Sequence, residues 1–370
     1  MPSAVDASMA LSGYPPQYLT PTPPDSLGAS TSRRPKMFRT CLAGVFVFSI
    51  ALNLFYFARI PRSFYSPLDD YQHLKHYPFV NTSGIPPLSE ADWRGAAVVT
   101  TLFSDSYAPA VATLGHSLRL TNTSARLIVL YLPAQVSPEA LCLATATGFV
   151  PHAIARIPPP ADGRGMNRHF RDQYSKLQLW TLDALPEPVT RAVYLDSDTL
   201  ALQNFDELFA LPYALAAVPD VSAAHGFTLA FNAGVLLLRP DSNLHDHMKD
   251  ALALARFPPE FAEQAFLNQF FGADAARLPL AYNANLAVKQ RAPAVWAALW
   301  PETRVLHYTV DKPFVAHDWR RVPLARVEER VRKAARARGG VFREEMLLWG
   351  RVWRDAQRVY GMRMQDCGME

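Results

Sequence analysis

The first half of the chain, from about residue 96, alternates short apolar runs with amphipathic segments. Continuous runs rich in β-branched residues are typical of strands buried on both faces of a parallel sheet. Four such runs are AAVVTTLF (96–103), RLIVLYL (126–132), VPHAIARI (150–157) and RAVYLD (191–196). This alternation predicts an α/β fold with a mostly parallel sheet wrapped by helices, and ligands bind at the carboxyl ends of such strands.

The segments between these strands carry helix signals. One amphipathic stripe consists of Tyr107, Val111, Leu114 and Leu118. Residues 137–148 begin with Ser at the N-cap and Pro at the first helical position, and Gly follows the predicted helix. A further helix is predicted over DQYSKLQLWTLDAL (172–185).

The second half contains three apolar segments that polar residues interrupt in a way that a pure core would not require. They are FTLAFNAGVLLLRPD (227–241), EFAEQAFLNQFF (260–271) and ETRVLHYTVDKPF (302–314). In the first, Asn232-Ala233-Gly234 is predicted to open a strand, where Gly allows the backbone to approach a ligand closely. In the third, His307 lies at the end of a strand-like run, and Lys312 follows five residues later.

The N-terminal 94 residues differ in composition from the rest of the chain. Residues 1–36 are rich in Pro, Ser and Thr, and such weakly hydrophobic sequence predicts disorder. Residues 41–58 carry no charge over 18 positions. As a helix this run would be roughly 27 Å long, which suits a bilayer core. Four Lys/Arg residues precede the run and two follow it, which favours a signal anchor with a cytosolic N-terminus.

These patterns divide the chain into five predicted segments. They are a cytosolic tail (1–36), a transmembrane signal anchor (37–58), a stem (59–94), a main folded domain (95–320) and a basic helical extension (321–370). We expect a single-pass type II membrane protein whose main domain lies in the lumen of the Golgi or of another secretory compartment. The sequons at Asn81 and Asn122 fit that side of the membrane. The alternatives to an anchor are a buried core helix and a cleaved signal peptide.

Composition narrows the classes of function. The chain has 370 residues, 49% of them hydrophobic, which suffices for one large domain or two smaller ones. Its net charge of +4 does not point to a nucleic-acid partner, although residues 320–363 hold 13 Lys/Arg against 5 Asp/Glu. We expect amphipathic helices there, with a basic face that is either solvated or attracts an anionic acceptor or a membrane. The three cysteines are too few for a disulfide scaffold and lack metal-site spacing.

The candidate chemistry centres on Asp196 and Asp198, which follow the apolar run RAVYL. In an extended chain these two carboxylates point to one side and Ser197 to the other. Two adjacent carboxylates at the end of a buried strand repel each other, so they are either solvated turn residues or ligands of a cation. Without a cation, removing one of them should leave stability unchanged or slightly raised. Together with His307 they suit Mn²⁺ or Mg²⁺, and such a metal would itself bind a diphosphate.

Six segments in order give the chain a resemblance to the glycogenin-like glycosyltransferases (family 8), which are retaining enzymes with nucleotide-sugar donors. The segments are VTTLFSDSYAPAVATLGHSL (99–118), SKLQLWTL (175–182), YLDSDTLALQNFDELF (194–209), FNAGVLLLRP (231–240), EQAFLNQFF (263–271) and VLHYTVDKPF (305–314). The resemblance covers about residues 96–314. It implies that residues 95–320 form a Rossmann-like nucleotide-diphospho-sugar transferase domain with a mixed, mostly parallel central sheet.

The resemblance also implies roles for individual residues. The Mn²⁺ (or Mg²⁺) ligands would be Asp196, Asp198 and His307. The residues that hold the UDP-sugar donor would be Thr101, Phe103, Ser104, Tyr107, Lys176, Ser197, Asn232, Gly234 and Lys312. In that set Tyr107 would stack on the base and Lys312 would bind the leaving diphosphate. The residues that line the sugar and acceptor pocket would be Asn232 and Gly234, and the candidate catalytic residues would be Glu263 and Gln264, with Gln264 beneath the anomeric carbon.

The implied function is the transfer of a hexose or related sugar from a UDP-sugar to a glycan, glycoprotein or glycolipid acceptor, with retention of configuration. Because no nucleophile stands out apart from Glu263 and Gln264, attack from the leaving-group face is favoured over double displacement. One alternative is an inactive lumenal protein that binds a sugar nucleotide or a glycan, and another is a soluble glycogenin. A phosphohydrolase of the haloacid dehalogenase type is a third, but its D-x-D-x-T motif departs here at Leu200.

The chain departs from the family pattern in three places. The loop from the metal histidine to the lysine is shorter and carries Val310, so its contacts with phosphate should differ in detail. Ser104 stands where an Asn is usual, and Glu263 stands where an Asp is common. None of these changes removes an essential charge.

Overall fold

The computed structural model describes residues 36–59, 87–163, 166–222, 226–272 and 274–368. The chain divides into two units, Met1–Ser63 and Phe64–Glu370. In the first unit helix α1 spans Lys36–Arg59, and the side chains of residues 42–56 are exposed. Within the described residues, no helix combines the length and the apolar character needed to cross a membrane. The predicted anchor stays a prediction, and nearly all of the predicted tail, most of the predicted stem and the Asn81 sequon lie outside the described residues.

A seven-stranded mixed sheet forms the centre of the second unit, in the order β3-β2-β1-β4-β7-β6-β8. Its strands are β1 Ala96–Leu102, β2 Arg126–Tyr131, β3 Val150–Ala153, β4 Arg191–Leu195, β6 Leu215–Ser222, β7 Gly226–Leu238 and β8 Ala276–Arg277. Strands β1 to β4 pair in parallel, whereas β7 runs antiparallel to both of its neighbours. The predicted α/β class with a mostly parallel sheet is therefore confirmed.

Helices cover both faces of this sheet. They are α2 Glu90–Arg94, α3 Ala108–Leu120, α4 Pro138–Thr145, α5 Ser242–Leu254, α6 Ala262–Phe271, α7 Leu286–Arg291, α8 Pro293–Leu299, α9 Val327–Arg336 and α10 Arg343–Gln365. Alternate residues of β1 point to opposite faces of the sheet. Val98 packs in one apolar cluster and Val99 in the other. Burial on both sides explains why this strand reads as a continuous apolar run.

A second, three-stranded sheet in the order β5-β10-β9 lies at the carboxyl end of β4. Its strands are β5 Thr199–Ala201, β9 Ala284–Asn285 and β10 Val305–His307. Strand β5 follows β4 after a three-residue turn and pairs antiparallel with β10. This small sheet joins segments that are about a hundred residues apart in the sequence at the point where the central strands end.

Three predicted elements differ in the structure. The segment 172–185 forms 3₁₀ turns over Gln173–Ala184 in place of an α-helix. The third strand ends at Ala153, several residues before the end of the apolar run. Asn232-Ala233-Gly234 lies in the middle of β7 and does not open it. Pairing of β7 with β6 extends the strand N-terminally to Gly226, which the apolar pattern alone does not indicate.

The Arg-rich C-terminal region forms helices α9 and α10, which pack on the face of the sheet that also holds α3. Their buried apolar positions include Val331, Met346, Trp349 and Trp353. A disulfide between Cys142 in α4 and Cys367, just after α10, closes this arrangement. The cysteine count did not indicate this bond, because its two partners are 225 residues apart in the sequence.

Candidate active site

Asp196 and Asp198 lie in the tight turn that connects β4 to β5. The Thr199 N–H donates to the Asp196 carbonyl at 3.0 Å, and the Asp196 N–H donates to the Gly234 carbonyl at 2.8 Å. The chain is a turn here and not an extended strand, so the expected alternation of side chains is wrong. Ser197 also lines the cleft beside the two carboxylates instead of facing away from it.

His307 reaches these carboxylates through the second sheet. Strand β10 ends at His307, which pairs with Thr199 of β5, and the Tyr308 N–H donates to the Asp198 carbonyl at 3.0 Å. As a result, His307 Nε2 lies 3.3 Å from Asp198 Oδ1 and 3.8 Å from Asp196 Oδ2. One ligand atom from each of the three side chains lies within 4.8 Å of the other two. Two carboxylate oxygens and one imidazole nitrogen at this spacing fit a divalent cation such as Mn²⁺.

Each carboxylate also contacts a lysine. Lys176 Nζ lies 3.0 Å from Asp196 Oδ1, and Lys312 Nζ donates to Asp198 Oδ2. Burial alone would raise the pKa of Asp198, but Lys312 and His307 outweigh it and hold that pKa well below its usual range. The pair is therefore balanced by positive charge even before a metal binds. The Lys312 ammonium, which was expected at the diphosphate, rests on a carboxylate here.

Lys176 is part of a buried polar network in the lining of the cleft. Its Nζ donates to Glu263 Oε1 at 2.7 Å, and its side chain is only 2% exposed. Burial would lower the pKa of Lys176, but the Asp196 and Glu263 carboxylates overcome this effect and raise the pKa well above its ordinary value. Tyr194 adds a hydroxyl that donates to Asp196 Oδ1 and lies 3.0 Å from the Thr101 hydroxyl. Lys176 thus holds two carboxylates in place within the lining of the cleft.

The two candidate catalytic residues are both held by internal contacts. Burial raises the pKa of Glu263, although Lys176 opposes that effect. Gln264 Oε1 accepts the Ala233 N–H at 2.9 Å, and its Nε2 donates to Asp220 Oδ2 at 3.0 Å. Both residues line the cleft. The Gln264 oxygen is already a hydrogen-bond acceptor for the backbone, so it is poorly suited to act as a nucleophile.

An aromatic pocket continues from the metal-ligand cluster along the first strand. Its lining includes Thr101, Phe103, Ser104, Tyr107, His169 and Trp319. Tyr107 packs edge-on against Phe314, and its ring is nearly parallel to Trp319, with 6.5 Å between the centroids. Trp319 also stacks on His169 at 4.9 Å. The pocket therefore offers flat apolar surfaces to a planar group at the edge of the charged site.

Asn232 and Gly234 take different positions in the site. Asn232 lines the cleft, where its side-chain oxygen accepts the Gly234 N–H at 2.9 Å. Gly234 lies behind the His307 ring and not among the residues that line the cleft. A Cβ at Gly234 would lie 2.2 Å from His307 Cε1, so any larger residue would displace the ring. The expected place of Gly234 in the sugar pocket stays a prediction.

Sequence reasoning missed four residues of this site: Tyr194, Asp220, Asn283 and Trp319. Tyr194 occupies an apolar strand position and reads as core, although its hydroxyl contacts Asp196. Trp319 follows the last motif, in a loop that turns back over the pocket with a positive φ of 63°. A non-glycine residue in that conformation is uncommon and often marks a functional site, but a sequence does not display it.

Known proteins share sequence with this chain. The model of the family described as Glycosyl transferase family 8 matches residues 98–314. Glycogenin of Neurospora crassa is 31% identical over 220 residues, which are 58% of this chain and 30% of that protein. Galactinol synthase 1 of Solanum lycopersicum is 27% identical over 234 residues, which are 57% of this chain and 71% of that enzyme. This chain therefore spans less than a third of the Neurospora glycogenin.

Among solved structures, the glycosyltransferase GlyE of Streptococcus pneumoniae TIGR4 in its apo form is similar at a TM-score of 0.45. The two share 20% identity, and the match covers 70% of this chain and 62% of that one. The family match extends over more than half of the chain and includes every metal-ligand candidate. The chain belongs to glycosyl transferase family 8.

Proposed function

We propose that the protein is a Mn²⁺-dependent retaining glycosyltransferase that moves a hexose or related sugar from a UDP-sugar to a glycan, glycoprotein or glycolipid acceptor. The observation that carries the proposal is the convergence of Asp196, Asp198 and His307 within 4.8 Å in a cleft at the carboxyl ends of the central strands. The relatives named glycogenin and galactinol synthase support sugar transfer as the reaction class.

The cleft offers the parts that such a reaction needs. The aromatic pocket around Tyr107 would receive the base, and the charged end of the cleft would receive the diphosphate. When bound, Mn²⁺ would neutralise the diphosphate and stabilise the charge that develops on it as it leaves. Lys312 would turn from Asp198 toward the phosphate oxygens, because the bound cation would then compensate the negative charge of the Asp198 carboxylate. A preorganised cation at a leaving group is usually among the largest contributions to catalysis.

Retention by attack from the leaving-group face is supported by the state of Glu263 and Gln264. Glu263 is 5% exposed and bound to Lys176, and the Gln264 oxygen accepts a backbone N–H. A double displacement would require one of these groups to leave its partner and attack the anomeric carbon. In the proposed mechanism both stay in place and shape the floor beneath the sugar.

Three observations support the lumenal location that is part of the proposal. Residues 41–58 are uncharged in the sequence, and the Cys142–Cys367 disulfide is typical of a protein that folds in an oxidising compartment. The Asn122 sequon lies at an exposed turn, where a glycan could be attached. We therefore propose a Golgi or other secretory-pathway membrane as the site of action.

The proposed function is tested by calorimetry of UDP binding with Mn²⁺ and with a chelator, on the wild type, Asp198→Asn and His307→Ala. We expect metal-dependent binding in the wild type only, and transferase rates reduced by more than about 10²–10³ in both variants. Asp274→Asn, which neutralises an exposed carboxylate outside the site, is the matched control and should behave as the wild type. Equal, metal-independent binding in all four proteins would contradict the proposal. Hydrolysis and transfer assays with a panel of UDP-sugars then identify the donor.

A further inference from the structure

Asn283, which no motif singles out, contacts the metal-ligand candidate His307 directly. It ends the short turn Leu280–Asn283 before β9 and is 1% exposed. Its Oδ1 lies 2.9 Å from His307 Nδ1, and its Nδ2 lies 2.9 Å from Asn232 Oδ1. Asn283 is not among the residues that line the cleft, and it contacts two side chains that are, Asn232 and His307.

Two neighbouring groups fix the orientation of the Asn232 side-chain amide. The Gly234 N–H, which can only donate, bonds to Asn232 Oδ1 at 2.9 Å. At the other end of the same amide, Asn232 Nδ2 lies 3.1 Å from the Asp220 carboxylate, which accepts when ionised. The backbone donor and the carboxylate acceptor thus lead to the same assignment of the oxygen and the nitrogen of the Asn232 amide.

That assignment determines the proton on His307. Because Asn232 Oδ1 is an acceptor, the Asn283 atom that faces it must be the donor nitrogen. The other Asn283 atom is then the oxygen, and it requires an N–H at His307 Nδ1. In the neutral ring the lone pair therefore lies on Nε2, the nitrogen that faces Asp196 and Asp198 at 3.8 and 3.3 Å.

We propose that Asn283 is a positioning residue that, together with Asn232 and Asp220, holds His307 in the Nδ1–H tautomer and so presents Nε2 to a divalent metal. The inference rests on the proposed metal site. Gly234 contributes by leaving room for the ring, since a Cβ there would lie 2.2 Å from Cε1. A hydrogen-bonded second nitrogen is how metal-binding histidines generally keep their tautomer and orientation.

The hydrogen bonds that run from Asp220 through Asn232 and Asn283 to His307, here called the relay, also link the histidine to the other side of the cleft. Asp220 accepts from Asn232 with Oδ1 and from Gln264 Nε2 with Oδ2, at 3.1 and 3.0 Å. One carboxylate therefore orients both the amide that leads to His307 and the amide beneath the proposed sugar site. A change at Asp220 is expected to disturb both ends of the cleft.

The first test is the tautomer of His307 in the full-length, metal-free protein at pH 8. Long-range proton–nitrogen NMR spectra of histidine-labelled protein separate protonated from unprotonated ring nitrogens, and His307→Gln identifies the signals of His307 among the ten histidines. We expect the wild-type ring to keep a proton on Nδ1, and Asn283→Ala to shift part of the population to the tautomer protonated on Nε2 alone. A wild-type ring without a proton on Nδ1 would overturn the proposal.

The second test is Mn²⁺ affinity, measured by electron paramagnetic resonance of the free ion. Asn283→Ala should raise the Kd about 10–100-fold, the usual effect of losing a partner of a metal-ligating histidine. Asn283→Asp keeps an acceptor for Nδ1–H but loses the donor to Asn232 Oδ1. It should therefore keep the tautomer while it recovers only part of the affinity, a split that a merely structural role would not predict.

The matched control is Asn285→Ala, which removes a buried side-chain amide two residues further on, in β9. That amide bonds to Val221, Ala287 and Thr309, and its side chain does not bond to the His307 ring. It should lower stability without changing the tautomer or the affinity. If Asn285→Ala weakened Mn²⁺ binding as much as Asn283→Ala, the relay would be refuted. If the wild type bound no Mn²⁺, the proposed function would fail, and the tautomer spectra would still decide the relay.

Discussion

At the scale of single residues, Asp198 has a role in the metal-free protein that differs from the one expected from its sequence. Its carboxylate is 9% exposed and lies between Lys312 and His307. Removing the charge leaves the Lys312 ammonium, itself 11% exposed, without its ionic partner. The expectation that the apo protein would be unchanged or more stable after losing one carboxylate considered only the repulsion between Asp196 and Asp198. The structure argues against it, because a lysine contacts each of them.

We therefore predict that Asp198→Asn destabilises the chelator-treated protein by about 3 kcal/mol, a typical cost of breaking a buried ion pair. The pKa of Asp198 is held below the ordinary value of 3.8, so its stabilisation is present at neutral pH and is lost as the pH falls below that value. Urea unfolding at pH 7 and near pH 3 measures both effects. The double variant with Lys312→Met should recover most of the loss. A variant as stable as the wild type at pH 7 would show that the pair contributes nothing.

The residues that the sequence identified are those whose chemistry is visible in one segment. Asp196 and Asp198 stand together at the end of an apolar run, and His307 stands at the end of another. Their convergence depends on the β5–β10 pairing, which involves only three residues of each strand and leaves no pattern of its own. Asn283 could not be predicted for the same reason, since an Asn in an apolar segment does not show which side chain it faces.

At the scale of elements, long apolar runs were predicted well and short or irregular segments poorly. Strands β1, β2 and β4 and helix α4 begin where their patterns indicate, and Ser137 caps α4 by accepting the Ala140 N–H. The 3₁₀ turns of Gln173–Ala184 carry the same apolar spacing as an α-helix. They are nevertheless held in place by contacts such as Lys176 with Glu263, which a pattern cannot show.

The disulfide between Cys142 and Cys367 should contribute much of the attachment of α10 to the rest of the domain. It crosses 225 residues, and constraining so long a loop in the unfolded chain is expected to stabilise the protein by about 2–5 kcal/mol. We predict that the paired substitution Cys142→Ser and Cys367→Ser lowers the free energy of unfolding by this amount and frees the end of α10. Chemical denaturation measures the first effect, and limited proteolysis at the C-terminus measures the second.

Cys41→Ser is the control for this experiment, because Cys41 belongs to α1 and has no part in the bond. The apolar contacts of Trp349 and Trp353 and the bond from His116 to Asp355 at 2.8 Å should keep α10 partly docked after reduction. UDP binding should therefore survive the loss of the disulfide. An unchanged unfolding free energy in the double variant would show that packing alone holds the helix.

At the scale of the whole molecule, the basic C-terminal region is joined to the domain through its apolar side. Glu345 is 1% exposed and binds Lys289, whereas Arg351, Arg354 and Arg358 form an exposed cluster with Asp355. The amphipathic pattern predicted this division into a buried and a charged face. The attraction of an anionic acceptor or a membrane to the charged face stays a prediction.

The reactivity of the three cysteines tests the predicted membrane topology. The chain has three cysteines, and Cys142 and Cys367 are bonded to each other. In a lumenal domain the bond forms, so denatured protein from cells should react with a maleimide reagent at Cys41 alone, and after reduction at all three cysteines. A cytosolic domain would stay reduced and carry three adducts from the start.

Protease treatment of sealed microsomes gives an independent answer, because a C-terminal tag should be protected only in the lumen. One adduct together with a protected tag is the expected outcome; three adducts with a digested tag would place the site of Asp196, Asp198 and His307 on the cytosolic side.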